Sequence, residues 1–96
     1  MIKEKIISDL SYYLRVDESY INSTLEYINK KKLCDAHDFR RLVEIGLPII
    51  SVLSEVLKID TNKAFGLIKD GKISYHDIII ILGIIAQDFK LISQGK

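Results

Sequence analysis

The sequence predicts an all-α fold, a compact bundle of five to six short helices, and three observations lead to this prediction. Apolar residues recur three or four positions apart along nearly the whole chain. Residues typical of helix starts and ends separate these apolar runs. No segment alternates apolar and polar residues as a half-buried strand would. With one proline and no flexible linker in 96 residues, the chain is expected to form a single domain, 1–96.

The first two predicted helices form a hairpin. Ile6, Leu10 and Leu14 lie four positions apart, on one face of the first helix. Asp17 is placed to cap a second helix, which ends at the lysines of 30–32, where positive charge faces the negative end of the helix dipole. The apolar face of the second helix contains Ile21, Leu25 and Ile28.

A glycine and a proline separate the third and fourth predicted helices. Asp35 and Asp38, three positions apart, resemble a capping box at the start of the third helix. Gly46 is placed to end that helix, and Pro48 to open the next at its first position, where a missing N–H is harmless. The third helix runs through Phe39, Leu42, Val43 and Ile45, and the fourth would bury Ile49, Val52, Leu53, Val56 and Leu57.

Caps also delimit the last two predicted helices. Asp60 caps a short fifth helix that Asp70 and Gly71 stop, and Ser74 with Asp77 opens a sixth that runs to about residue 92. The isoleucines of 78–81 also have strand propensity, but the serine cap and the apolar residues that continue beyond them favour a buried helix. The fifth helix runs through Ala64, Leu67 and Ile68.

The two halves of the chain contain similar short segments. Leu14-Arg15-Val16-Asp17 matches Leu57-Lys58-Ile59-Asp60, and His37-Asp38 corresponds to His76-Asp77. The fold would then contain two related helical hairpins plus an isoleucine-rich C-terminal helix. A true duplication and the reuse of the same caps by unrelated hairpins explain the match equally well.

The composition excludes several classes of protein. Fourteen basic and thirteen acidic residues give a net charge of +1, which is not the balance of a polyanion binder. The single cysteine, Cys34, cannot form an internal disulfide, as is usual in a reducing compartment. The N-terminal residues lack the features of a signal peptide, and no apolar run reaches the roughly 18 residues that span a bilayer. We therefore expect a cytoplasmic protein.

The residues that could perform chemistry are few. His37-Asp38 and His76-Asp77 could ligate a metal, but both pairs lie in the first turn of a predicted helix, where aspartate interacts favourably with the dipole. Cys34 has Asp35 and Asp38 as neighbours, which disfavour a reactive thiolate. We therefore expect neither enzymatic activity nor a cofactor, metal or small-molecule substrate.

The sixth predicted helix is apolar around nearly its whole circumference. Such a helix must be buried on every side, and five short helices are expected to cover only part of it. Either it is the central helix of the bundle or part of its surface binds a protein partner, including a second copy of the chain. The candidate interaction surface is Ile80, Ile81 and Ile84.

DNA binding is an alternative function. The fourth and fifth predicted helices, with the turn between them, have the outline of a helix-turn-helix. The candidate DNA-contacting residues are Thr61, Asn62, Lys63 and Lys69. The fifth helix contains no arginine and the chain is nearly neutral, which gives a weak electrostatic footprint for DNA.

A longer pattern resembles a known family. After Phe39-Arg40-Arg41-Leu42, the chain carries four motifs in order: Gly46-Leu47-Pro48-Ile49-Ile50, Leu53-Ser54-x-x-Leu57, Ile59-Asp60-Thr61 and Asp70-Gly71-Lys72-Ile73-Ser74. This order, over about Lys32–Ile79, resembles the small helical domain of tail tape-measure proteins of phages and prophages. The resemblance implies a structural role in tail assembly and a place in the virion tail, with structural rather than catalytic roles for Gly46, Pro48 and Gly71.

The length of the chain departs from that family, whose members have many hundreds of residues against 96 here. The chain is therefore either an excised domain or a short protein that shares the module. In the second case a small inhibitory or immunity-type binding protein of a phage or prophage is a further alternative. Our interpretation is a non-catalytic structural domain of tape-measure type, which binds tail proteins or itself.

Overall fold

A computed structural model describes residues 2–94, and the side chains of residues 3–92. These residues form six helices, which confirms the all-α prediction: α1 (Ile2–Leu14), α2 (Glu18–Lys31), α3 (Ala36–Glu44), α4 (Ile49–Leu57), α5 (Thr61–Lys69) and α6 (Tyr75–Gln94). Over this range there is no strand, only one isolated antiparallel bridge between Leu33 and Ser74. Across it, the N–H of Cys34 donates to the carbonyl of Ile73 at 2.8 Å.

The α1–α2 and α4–α5 hairpins share one turn conformation. Arg15 and Lys58, which follow α1 and α4, both have φ of 57°, a left-handed conformation that residues other than glycine rarely adopt. Asp17 and Asp60 then cap the next helix, each accepting a hydrogen bond from a first-turn amide. The matched sequence segments therefore have matched backbones.

A serine in the last turn of the first helix fixes each of these turns. The hydroxyl of Ser11 donates to the carbonyl of Val16, and the hydroxyl of Ser54 donates to the carbonyl of Ile59. The two turns also share a backbone hydrogen bond in the opposite direction. The N–H of Val16 donates to the carbonyl of Ser11, and the N–H of Ile59 donates to the carbonyl of Ser54. Each hydroxyl thus donates a hydrogen bond to a carbonyl that lies in the turn and takes no part in the hydrogen bonds of a helix.

The two glycine stops are confirmed, and the proline position is shifted by one residue. Gly46 and Gly71 have φ of +103° and +69°, and each follows a helix in the hydrogen-bond pattern of a Schellman motif. Pro48 is the N-cap of α4 and not its first helical residue. The position is equally tolerant of proline, because an N-cap N–H also lacks a partner within the helix.

Capping boxes open α3 and α6. Asp35 accepts from the N–H of Asp38, whose carboxylate accepts from the N–H of Asp35. Ser74 and Asp77 make the same reciprocal pair, each bond at 3.1 Å. Both capping boxes therefore form as the sequence predicts. They begin at or next to the two residues that the isolated bridge joins, Leu33 and Ser74.

Helix α6 packs against α1, α2 and α4. Gly83 faces Ile6 of α1, and the rings of Phe89 and Tyr13 are 5.9 Å apart, so α1 and α6 run in the same direction. Within α6 the core residues are Ile78, Ile81, Leu82, Ile85 and Ala86. The first and last described helices therefore close the core together.

Candidate functional site

An apolar groove of about 280 Å³ lies where α4, α5 and α6 meet. Helix α4 lines it with Leu53, Val56 and Leu57, α5 with Leu67, and α6 with Ile80 and Ile81. Ile73, between α5 and α6, completes the apolar lining, and Lys72 and Asp77 are its polar members. A lining with so few polar groups suits contact with apolar side chains better than chemistry on a polar substrate.

Three side chains of the groove are largely open to solvent. Val56, Leu57 and Ile80 are 48%, 46% and 47% exposed. They form a continuous apolar patch on two helices, unlike the scattered single apolar residues of an ordinary surface. The sequence placed Val56 and Leu57 in the core, and the structure corrects this, because no described residue covers this end of the α4–α5 hairpin.

The predicted interaction surface on α6 is corrected at one residue. Ile80 is exposed and Ile84 is partly buried, but Ile81 is only 2% exposed and belongs to the core. Ile81 lies about 100° further round the helix than Ile80, which turns it toward α4. It forms part of the floor of the groove and offers little surface to a partner.

Sequence reasoning missed two exposed apolar residues of α6, Leu91 and Ile92. Leu91 is 55% exposed, and it lies on the same side of the helix as Ile80 and Ile84, since positions 80, 84 and 91 repeat at helical spacing. That spacing was visible in the sequence. It could not be interpreted there, because so many neighbouring residues of α6 are apolar too.

A charged cluster lies at the start of α3. The Lys31 ammonium is 2.8 Å from a carboxylate oxygen of Asp35 and 2.6 Å from one of Asp38. Asp38 is fully buried, and its second oxygen, Oδ1, has no hydrogen-bond partner. Hydrogen bonds from Lys31 and from the Asp38 amide lower the pKa of Asp35 from 3.8 to about 2. The cluster links α2 to α3, and none of its three residues lines the apolar groove.

The candidate chemical residues remain separate. Burial raises the pKa of the Cys34 thiol to about 12, and the charges of Asp38 and Asp35 add to the rise, so the thiol is protonated at neutral pH. His37 and His76 are exposed on the first turns of different helices. Within the described range, no group of three His, Cys, Asp or Glu residues could hold a metal ion.

The candidate DNA-contacting residues are all exposed on α5. Thr61, Asn62 and Lys63 form its first turn, beside the cap Asp60, and Lys69 is in its last turn. The cap carboxylate places negative charge beside the residues that would approach a phosphate backbone. DNA binding through these residues stays a prediction.

Comparisons with known proteins do not assign this fold or surface. No protein-family model matches the chain, and neither the curated proteins nor the solved structures give a match. In the part of the chain that the structure describes, no helix has both the length and the hydropathy to cross a membrane. The groove and the exposed residues of α6 are therefore the features on which a function can be argued.

Proposed function

We propose that this chain is a non-catalytic interaction domain of tape-measure type, which contributes to phage tail assembly by binding proteins, including further copies of itself. The observation that carries the proposal is the open apolar groove with Val56, Leu57 and Ile80 at its edge. Grooves of this kind accept the apolar face of a helix. The positive φ of Gly46 and Gly71 supports the structural roles that the family resemblance implies for them.

The energy available at the groove limits the affinity. Covering the exposed half of an isoleucine, leucine or valine contributes about 1 kcal/mol, so the three edge residues contribute about 3 kcal/mol. Association costs at least about 4 kcal/mol in lost translational and rotational freedom. Further contacts must therefore take part, and self-association of the isolated chain should be weak and dependent on concentration.

Light scattering behind size exclusion, over a series of protein concentrations, tests the proposal. We expect the mean mass to rise with concentration for the wild-type chain and to stay at that of a monomer for Ile80→Glu. Tyr12→Glu is the matched control, because Tyr12 is 77% exposed on α1 and does not line the groove. A wild-type chain that is monomeric at every concentration would contradict the self-association.

The same samples separate this proposal from DNA binding. Random duplex DNA is added at low salt, and its fluorescence anisotropy is followed as salt is raised. Binding that is strong at low salt and lost as salt rises, and that Lys63→Ala and Lys69→Ala weaken, would favour the alternative. We expect no binding at low salt.

A further inference from the structure

The connection between α5 and α6 contains the one Asp–Gly step of the sequence, Asp70-Gly71. No other aspartate or asparagine of the chain precedes a glycine. Glycine has no Cβ to shield its backbone nitrogen, so an aspartate before it is the carboxyl most open to attack by the chain itself. Asp70 is exposed at the end of α5, and its side chain therefore has room to turn toward the following peptide bond.

We propose that Asp70 is a site of spontaneous isomerisation to isoaspartate, gated by local opening of the α5–α6 connection. The Gly71 nitrogen attacks the side-chain carbon Cγ of Asp70 and a new C–N bond forms. The proton of that nitrogen and the hydroxyl of the protonated carboxyl leave together as water. Water then adds to the cyclic imide. Cleavage of the bond between the nitrogen and the backbone carbonyl carbon gives isoaspartate, and cleavage of the other C–N bond restores aspartate.

The folded connection holds the two reacting atoms apart. Closing the imide ring requires the Gly71 nitrogen to lie on the side of the Asp70 backbone that carries the side chain. The ψ of Asp70 is 3°, which turns that nitrogen toward the amide nitrogen of Asp70 instead. The Gly71 N–H also donates to the carbonyl of Ile68 at 3.1 Å, so the attacking nitrogen is engaged in the last turn of α5. The reaction therefore needs an opened connection.

A Schellman motif and a capping box hold this connection closed. The N–H of Lys72 donates to the carbonyl of Leu67 at 2.9 Å, and with the Gly71 bond it forms the Schellman motif. Asp77 accepts from the N–H of Ser74 in the capping box at the start of α6. These bonds join exposed or half-buried residues, and such segments open locally more readily than the core does. The gate is therefore the opening of this connection and not the unfolding of the whole chain.

Isomerisation would change the connection permanently. In isoaspartate the backbone runs through the side chain and gains one methylene, which displaces the N–H groups of Gly71 and Lys72 from the carbonyls that they bind in the Schellman motif. Lys72 and Ile73 follow directly and line the apolar groove. The modified chain would therefore carry an altered groove, although its mass is unchanged.

The rate of isoaspartate formation tests the proposal. The full chain is kept at neutral pH, either folded or in urea, and isoaspartate is measured by enzymatic methylation and by separation of the peptide that contains residue 70. Asp70→Glu is the blank, because glutamate does not readily close this ring. We expect the rate in the folded chain to be at least about tenfold lower than in urea. An equal rate in both would overturn the gate, and no isoaspartate in urea would overturn the site.

Two matched variants separate local opening from global unfolding. Asp77→Ala removes the capping box beside the connection, and Ser11→Ala removes a hydrogen bond of similar strength in the α1–α2 turn. We expect the rate in folded Asp77→Ala to rise about fivefold, and the rate in folded Ser11→Ala to stay at that of the wild type. An equal rise in both variants, or no rise in Asp77→Ala, would overturn the inference. None of these outcomes depends on the proposed binding function.

Discussion

The α1–α2 and α4–α5 hairpins have the same turn, but different parts of the chain cover them. In each hairpin a serine hydroxyl, a left-handed residue and an aspartate cap occur in the same order. In the first hairpin, Tyr13 and Leu14 are partly buried, the former against Phe89 and the latter against Gly46. The corresponding residues of the second hairpin, Val56 and Leu57, are nearly half exposed.

This difference separates what local sequence determines from what distant sequence determines. The turn is built within about seven residues and therefore repeats wherever the motif repeats. Burial at the end of each hairpin depends on residues far along the chain, since Phe89 in the second half of α6 packs against Tyr13 of α1. The α4–α5 hairpin is thus the one whose end stays exposed among the described residues.

The largest expected effect contrasts the two capping boxes that follow the hairpins. Asp38→Ala removes a fully buried carboxylate that accepts from Lys31 and from the Asp35 amide, and we expect a loss of about 3 kcal/mol in the free energy of unfolding. Asp77→Ala removes a partly exposed one, for a loss of about 1 kcal/mol.

Urea unfolding followed by circular dichroism measures both losses. Asp38→Asn is the control, because it keeps the shape of the side chain and removes its charge. Equal losses for the two alanine variants would show that the buried ion pair adds nothing to the first box.

Ser11→Ala and Ser54→Ala test whether the two turns are energetically equivalent. Each substitution removes one hydroxyl that donates to a carbonyl, so we expect both to lower the free energy of unfolding by about 1 kcal/mol. The same urea titrations give the values. Losses that differ by more than about 1 kcal/mol would mean that tertiary cover, and not the turn, sets the strength of these bonds.

Arg15→Gly and Lys58→Gly should have a smaller and opposite effect. Both residues have φ of 57°, where glycine avoids the steric cost of a side chain but loses more entropy on folding. We expect a gain of about 0.5 kcal/mol at each site, seen as a higher melting temperature. Ser8→Gly, in the interior of α1, is the control and should be destabilising.

Acid should remove the stability that Asp35 contributes to the first box. The pKa of Asp35 is lowered to about 2 when folded, so its contribution to stability is present above its ordinary value of 3.8 and is lost as the pH falls from about 4 to 2. Lys31→Ala should reduce the pH dependence in this window, as measured by melting temperature. An unchanged dependence would refute the role of Lys31.

Sequence motifs predicted the helices well, because caps and glycine stops act over a few residues. The boundaries at Asp17, Asp35, Gly46 and Gly71 follow from such local chemistry. The left-handed conformations at Arg15, Lys32 and Lys58 were not predicted, because no glycine marks them.

The candidate site was only partly predictable, for a physical reason. Helix α6 is apolar on nearly every side, so its sequence has too little contrast to show which side is exposed. Of the candidate surface, Ile80 is exposed, Ile84 is partly buried and Ile81 belongs to the core, while the exposed Leu91 and Ile92 were not predicted. The groove combines residues of three helices, and no single periodicity reports such a combination.

The packing of α1 along α6 has a consequence for synthesis. About 60 residues separate the end of α1 from the start of α6, so at 5–20 residues per second the ribosome needs roughly 3–12 s to produce the partner of α1. During that interval α2 is available to α1, but the side of α1 that carries Ile6 and Tyr13 lacks its contacts with α6. The nascent chain therefore passes through a stage in which chaperone binding to its first helix would compete with premature aggregation.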